Sequence, residues 1–238
     1  MDFDLTLAKS LHENEAVLRL YQWDPYCISL GANQSEEALL TEEIYDNNIN
    51  IVKRPTGGRA ILHSEELTYS VIYQLGNGLS PKDLYKEINI ALIKGLIIFD
   101  ETLNKLELHN SQPYLPSHYK KDKSAACFSV SSMNEINFGG KKLVGSAQRR
   151  IGNVVLQHGS ILCGSYHKNI CNYLNLPGSS ISALQEEMDN STTDLSEILN
   201  KNININSLLE AIRIGFEEHF GINNFKNINV YEPAPSLS

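Results

Sequence analysis

The chain has 238 residues, 42% hydrophobic and 20% charged, the balance of a soluble globular protein long enough to bury a sizeable core. Its net charge of −8 argues against non-specific nucleic-acid binding, and no apolar run approaches the ~18 residues of a membrane span. The acidic start Met1-Asp2-Phe3-Asp4 is unlike a basic leader, so a single cytoplasmic domain over 1–238 is expected, with neither nucleic acid nor membrane as partner.

Residues 3–14 read as a helix. Residues 17–23 and 27–30 are rich in β-formers and flank the turn signal Asp24-Pro25, which predicts a hairpin. Residues 36–46 read as a short helix. A strand over 51–53 runs into the Gly57-Gly58 break, and 59–63 and 67–73 read as two more strands. Ser80 and Pro81 mark a helix start as N-cap and first helical residue, and Leu84, Ile88, Ala91, Leu92 and Phe99 follow on one face. The polar stretch 112–124, with Pro113 and Pro116, reads as a loop. Residues 133–138, 142–147 and 154–162 read as strands joined by glycine-containing turns. Ser207-Leu208-Leu209-Glu210 reads as a capping box opening a helix whose inward stripe is Leu208, Ile212 and Phe216. Strands in the middle and helices at the ends predict an α+β fold, a mixed or antiparallel sheet flanked by helices.

The charge is uneven: residues 51–150 hold 14 basic and 9 acidic side chains, whereas residues 1–50 hold 2 and 10. A basic middle suits something anionic, or is simply a solvated surface. The cysteines at 27, 127, 163 and 171 include no C-x-x-C pair, and H-E-x-x-H, the P-loop and G-x-S-x-G are absent, so no metal site is expected.

Four segments carry possible chemistry. In 53–63, Gly57-Gly58 lies among Lys53, Arg54 and Arg59, an arrangement for a polar ligand near the main chain or for a charged hairpin tip. In 139–150, alternation from Lys142 puts Lys142, Val144 and Ser146 on one face, whether toward a site or toward solvent. His158-Gly159-Ser160 interrupts an apolar strand, where a histidine is either a ligand contact or a satisfied core side chain. Cys127 follows Lys120, Lys121 and Lys123, cations that would favour the thiolate, while Cys27 and Cys163 look like core filler.

In order and spacing these segments resemble the lipoate–protein ligase and octanoyltransferase family. The resemblance rests on Leu20-Tyr21-x-Trp23, Ser29-Leu30-Gly31-x-x-Gln34, Arg54 to Ala60 with His63, Lys142-x-x-Gly145-Ser146-Ala147-Gln148, and Gln157-His158-Gly159-Ser160-Ile161. It implies a fold like the catalytic domain of biotin–protein ligase. Gly57-Gly58-Arg59, the Cys127-Phe128 pair and a chain too short for a large accessory domain are similar to the cysteine-dependent octanoyltransferases rather than the ATP-dependent ligases. The implied reaction moves octanoyl from acyl carrier protein, through a Cys127 thioester, to a lysine of a lipoyl domain, either glycine cleavage H protein or 2-oxoacid dehydrogenase E2. No cofactor is implied; ATP and Mg would enter only for a ligase, and transfer between two lipoyl domains is a further alternative. The resemblance makes Cys127 and Lys142 catalytic, and Arg54, Gly57, Gly58, Arg59, His63, Gly145, Ser146, His158 and Gly159 substrate-binding. Two positions depart from the family: Lys53 replaces a common arginine, and Ser64 follows His63 where an acidic residue is usual, leaving Glu65 or Glu66 to stand in.

Overall fold

The computed structural model describes residues 2–11, 15–75, 79–108, 135–221 and 226–227. The described elements run α1 (Asp2–Ser10), β1 (Ala16–Tyr21), β2 (Cys27–Leu30), α2 (Thr41–Asp46), β3 (Asn50–Lys53), β4 (Ile61–His63), β5 (Glu66–Gln74), α3 (Pro81–Phe99) and β6 (Glu107–Leu108). There follow β7 (Ile136–Phe138), β8 (Lys141–Ile151), β9 (Val154–Leu162), α4 (Gly178–Ser191), α5 (Leu195–Leu199), α6 (Ile205–Phe220) and β10 (Lys226–Asn227). This is the expected α+β fold. A seven-stranded sheet, β10-β1-β5-β9-β8-β7-β6, is antiparallel except where β10 joins β1. A three-stranded sheet, β3-β2-β4, pairs β2 with β3 in parallel and with β4 antiparallel.

Alternation along the strands divides the large sheet into two unlike faces. One face carries Leu18, Leu20, Leu67, Tyr69, Val71, Val155 and Ile161. It packs on Leu84, Ile88 and Leu92 of α3 and Leu208, Ile212 and Phe216 of α6, all in one core. The other face is apolar at one end, where Val17, Ile72, Val154 and Leu156 lie under Ala8 of α1. Further along that face, Thr68, Ser70, His158 and Ser160 are polar yet buried. Buried polar groups need partners, and these lie where the chain makes its site.

Helices α3 and α6 cross closely because glycines meet there. A Cβ on Gly95 would stand 2.6 Å from the Ile212 Cα, and one on Gly215 would stand 2.5 Å from the Gly95 Cα. The Ser80 cap is as read from sequence: its side chain accepts from the Asp83 amide at 3.1 Å.

Three local expectations change. The segments 17–23 and 27–30 form strands but not a hairpin, because β1 pairs with β5 and β10 while β2 pairs with β3 and β4. The turn at Asp24-Pro25 instead carries the chain from one sheet to the other. The helix over 36–46 is two pieces, a 3₁₀ turn at Glu36–Ala38 and then α2, separated where Leu39 bridges to Leu174. The last helix is capped by Asn204, whose side chain accepts from the Ser207 amide at 3.0 Å, and Glu210 pairs with Arg213 instead of closing a capping box.

The crossing of α3 and α6 gives a stability test. Gly215→Ala or Gly95→Ala would gain a few tenths to 1 kcal/mol of helix propensity but overpack backbone against backbone, a cost of ~1–3 kcal/mol. Chemical denaturation should show a net loss for both. Gly178→Ala, where the new methyl meets nothing, should be neutral or better.

Candidate active site

The loop from Arg54 to Ala60 joins β3 to β4 and lies over the polar part of the large sheet. Its carbonyls are tied down by guanidinium groups. Arg54 is buried and donates from Nη1 to the Ser29 carbonyl at 2.8 Å and the Ser29 hydroxyl at 3.1 Å. Its Nη2 donates to the carbonyls of Gly57 at 3.2 Å and Arg59 at 2.6 Å. Arg149 of β8 donates to the Pro55 carbonyl at 2.6 Å, and the Ala32 amide to the Thr56 carbonyl at 2.9 Å. Gly58 has φ 103°, which side chains rarely adopt, and a Cβ on Gly31 would overlap the Gly58 carbonyl.

Beneath the loop is a cavity of about 290 Å³. The loop and small sheet contribute Arg54, Gly57, Gly58, Ile61 and His63; the large sheet contributes Tyr21, Thr68, His158, Gly159 and Ser160. The β8 side contributes Lys142, Gly145, Ser146, Ala147 and Gln148, with Glu135 beside them. Beyond Val144, β8 pairs only with β9 among the described residues, so both faces of its free edge form cavity wall.

Nine residues singled out from sequence thus come together: Arg54, Gly57, Gly58, His63, Lys142, Gly145, Ser146, His158 and Gly159. Arg59 is not among the lining residues and offers its carbonyl to Arg54. Cys127, and the stretch 112–124 with Lys120, Lys121 and Lys123, lie outside the described residues. Sequence reasoning missed Tyr21, Ile61, Thr68, Glu135, Ala147, Gln148 and Ser160. One signal was available: β5 places Glu66, Thr68 and Ser70 at every second position of an otherwise apolar strand, an unusual face for a central strand.

His63 is held on all sides. Its Nδ1 lies 2.8 Å from Glu66 Oε1 and its Nε2 2.7 Å from the Ser29 hydroxyl. Its ring stacks on Trp23, with centroids 4.9 Å apart. Thr68 and Ser160 donate to the same Glu66 oxygen at 2.6 and 2.8 Å, and Trp23 Nε1 donates to Thr68 at 2.9 Å. Burial alone would raise the Glu66 carboxyl, but the His63 contact and the hydrogen bonds from His63, Thr68 and Ser160 outweigh it and hold it below its ordinary value. Glu66 therefore supplies the carboxylate that Ser64 does not. Glu65 turns outward and accepts from the Tyr166 amide at 3.2 Å.

His158 has the opposite character. Its Nε2 lies 2.7 Å from the Thr56 hydroxyl, while Nδ1 is buried with no partner among the described residues. Burial first, and then the charges of Arg54 and His63, push it down to about 3. It is a neutral imidazole at any working pH.

Lys142 is 2% exposed, and its ammonium lies 3.0 Å from a Glu135 carboxylate oxygen that is equally buried. The neighbouring Lys141 faces out, toward the Asp189 carbonyl and Glu197. Alternation thus sorts two adjacent lysines, one to the surface and one to the cavity. Behind Ser146 lies a polar network: Tyr69 donates to Ser146 at 2.6 Å, and Gln157 donates to Tyr69 at 3.1 Å and to Asn89 at 3.3 Å. Gly159 is required there, since a Cβ would stand 2.7 Å from the Tyr69 ring.

The three described cysteines are buried. Burial pushes Cys27 and Cys163 up to about 12 and Cys171 up to about 11, so none offers a thiolate at neutral pH. The cavity can orient a carbonyl beside an ammonium, and none of the three described cysteines is among its lining residues.

Residues 1–217 match the family described as the lipoyl protein ligase A/B catalytic domain. Octanoyltransferase LipM of Anoxybacillus flavithermus is 32% identical over 214 residues, 87% of this chain and 74% of that protein. The LipM of Kyrpidia tusciae is 33% identical over 228 residues, 93% of this chain and 81% of that protein. Among solved structures, a bipartite lipoate protein ligase from Thermoplasma acidophilum superposes with a TM-score of 0.73 at 17% identity, over 98% of this chain and 81% of that one. A lipoate-protein ligase A bound with ATP gives 0.70 at 17%, over 98% and 83%. At that identity the two structures speak for the fold alone.

His158 makes acid stability a test of the site. Its folded value lies below the ordinary 6.5, so its stabilising effect is complete above pH 6.5 and is lost as pH falls toward 3. Each such proton contributes a slope of about 1.4 kcal/mol per pH unit. Urea denaturation should show that slope shrinking by about one proton in His158→Gln between pH 6 and 4; an unchanged slope would mean that His158 takes up its proton without unfolding.

Proposed function

As the chain belongs to the lipoyl protein ligase A/B catalytic-domain family, we propose that it is an octanoyltransferase of lipoate biosynthesis, passing octanoyl from acyl carrier protein through Cys127 to a lipoyl-domain lysine. The observation that carries this reading is the buried Lys142 ammonium in the wall of a cavity, in a chain whose relatives are octanoyltransferases.

The reaction has two steps. The Cys127 thiolate attacks the thioester carbonyl, and the carrier's sulfur departs as a thiolate that takes a proton from solvent. One thioester replaces another, so the step is close to isoenergetic and runs without ATP. The neutral amine of the acceptor lysine then attacks the acyl-enzyme. An amide forms, the amine's surplus proton passes to solvent, and the Cys127 thiolate returns. Lys142 donates to the carbonyl oxygen as it gains charge. The octanoyl chain is held by apolar burial at ~0.8 kcal/mol per methylene. Acceptors would be lipoyl domains, of glycine cleavage H protein or of a 2-oxoacid dehydrogenase E2.

Intact-mass spectrometry after mixing with octanoyl carrier protein should show one covalent octanoyl adduct that Cys127→Ala abolishes. An adenylate formed from lipoate and ATP would instead make the protein a ligase, and an adduct formed only from an octanoylated lipoyl domain would make it an amidotransferase.

The basic middle of the chain supports electrostatic docking of acidic partner domains. Arg149 and Arg150 are exposed on β8, next to the cavity. The KM for octanoyl carrier protein should rise at least ~3-fold between low and moderate salt. A KM that does not respond to salt would remove the steering role.

A further inference from the structure

We propose that Glu135 is the positioning residue for Lys142: its carboxylate holds the ammonium in the one place where it can meet the acyl carbonyl. For its activity readout this rests on the octanoyltransferase reading.

The root of Lys142 is fixed by backbone contacts. Asn137 stands opposite it across β7 and β8, and the Thr193 amide donates to its carbonyl at 3.0 Å. Pairing between these strands shifts register between Ile136 and Asn137, since Ile136 stands opposite Val144. Bulges of this kind recur beside active sites, where they re-aim a side chain. Glu135 lies just past the shift, 3% exposed, and its Oε2 sits 3.0 Å from Lys142 Nζ. Both residues line the same cavity.

A buried ion pair is a poor source of stability, because desolvating two charges offsets their attraction. A pair of well-packed apolar residues would serve the fold as well. Position is what the pair provides. A lysine side chain has many rotamers, and here they are restrained before substrate arrives. Displacing a catalytic group by about 1 Å can reduce a rate ~100-fold. The outward-facing Lys141 has its carboxylate, the half-exposed Glu197, at 3.8 Å and also donates to the Asp189 carbonyl at 3.1 Å, so on the same strand the short carboxylate contact belongs to the buried lysine.

The test uses the full chain with Glu135→Gln and Glu135→Asp, and three measurements. Single-turnover acylation of Cys127 should fall ~100-fold in Glu135→Gln with KM for octanoyl carrier protein nearly unchanged, and Glu135→Asp should recover ~10-fold of that loss. Glu135→Gln should unfold at a lower temperature, because it takes the counter-charge from a buried ammonium, so its acylation is measured well below that transition; Glu135→Asp, which keeps the charge, should stay near wild type. Labelling of Lys142 by a small amine-reactive ester, followed by peptide mass spectrometry, should change at least ~5-fold in Glu135→Gln, because a counter-charge has gone. Wild-type acylation by Glu135→Gln overturns the proposal. So does a rate loss that tracks a lower unfolding temperature and is not recovered by aspartate. If the wild-type chain forms no acyl-enzyme, the octanoyltransferase reading fails and the labelling decides alone: unchanged labelling overturns the role of Glu135, and altered labelling supports it.

Discussion

The cavity exists because a guanidinium is buried at the edge of the small sheet. Arg54 offers hydrogen bonds to the Ser29 carbonyl and hydroxyl and to the carbonyls of Gly57 and Arg59. A loop that close to a core must satisfy its carbonyls. Charged donors do so more strongly than neutral ones. The Ser29 hydroxyl is shared with His63, which is held by Glu66, which in turn collects Thr68 and Ser160. One connected polar network thus runs from the loop, across the small sheet and into the centre of the large one. Loosening it at Arg54 would free the roof of the cavity and unseat the histidine in its wall.

The same network separates charge from neutrality inside a small volume. His63 lies against a carboxylate, and Lys142 against another. His158 meets the Thr56 hydroxyl and no other partner among the described residues, and is held neutral by burial and by the charges of Arg54 and His63. A neutral imidazole can donate or accept without adding charge, which leaves Lys142 and Arg54 as the cationic side chains of the lining. Tyr69, buried behind Ser146 and pushed up to about 12, extends the neutral side. The lining is therefore polar without being uniformly charged, a surface that can accept a carbonyl at one end and a hydrocarbon along its length.

Much of this was legible in the sequence. The periodicity of β5, β9 and α3 gave their existence and type, and Ser80 with Pro81 gave a helix start. Residues that are unusual in strands pointed to the site: paired glycines among arginines, a lysine between Gly140 and Gly145, and a His-Gly-Ser step. What escaped was non-local. The period of residues 17–30 marks strands but says nothing of partners, and the partners lie far along the chain in two different sheets. Asn204 and Ser207 are both good caps three residues apart, and the helix begins at the first of them. Glu135 was hard to single out because carboxylates ordinarily face water; its burial distinguishes it. Arg54 was read as a ligand contact, whereas its guanidinium is largely committed to backbone carbonyls.

The stack of Trp23 on His63 has a practical corollary. The sequence holds one tryptophan, and that indole leans on a ring in the cavity wall while its N–H reaches Thr68 in the same wall. Indole emission is sensitive to a quenching imidazole and to the polarity around it. Light that excites the indole and not the eleven tyrosines therefore draws its emission from beside the cavity, the place from which a guest would be sensed with no dye attached.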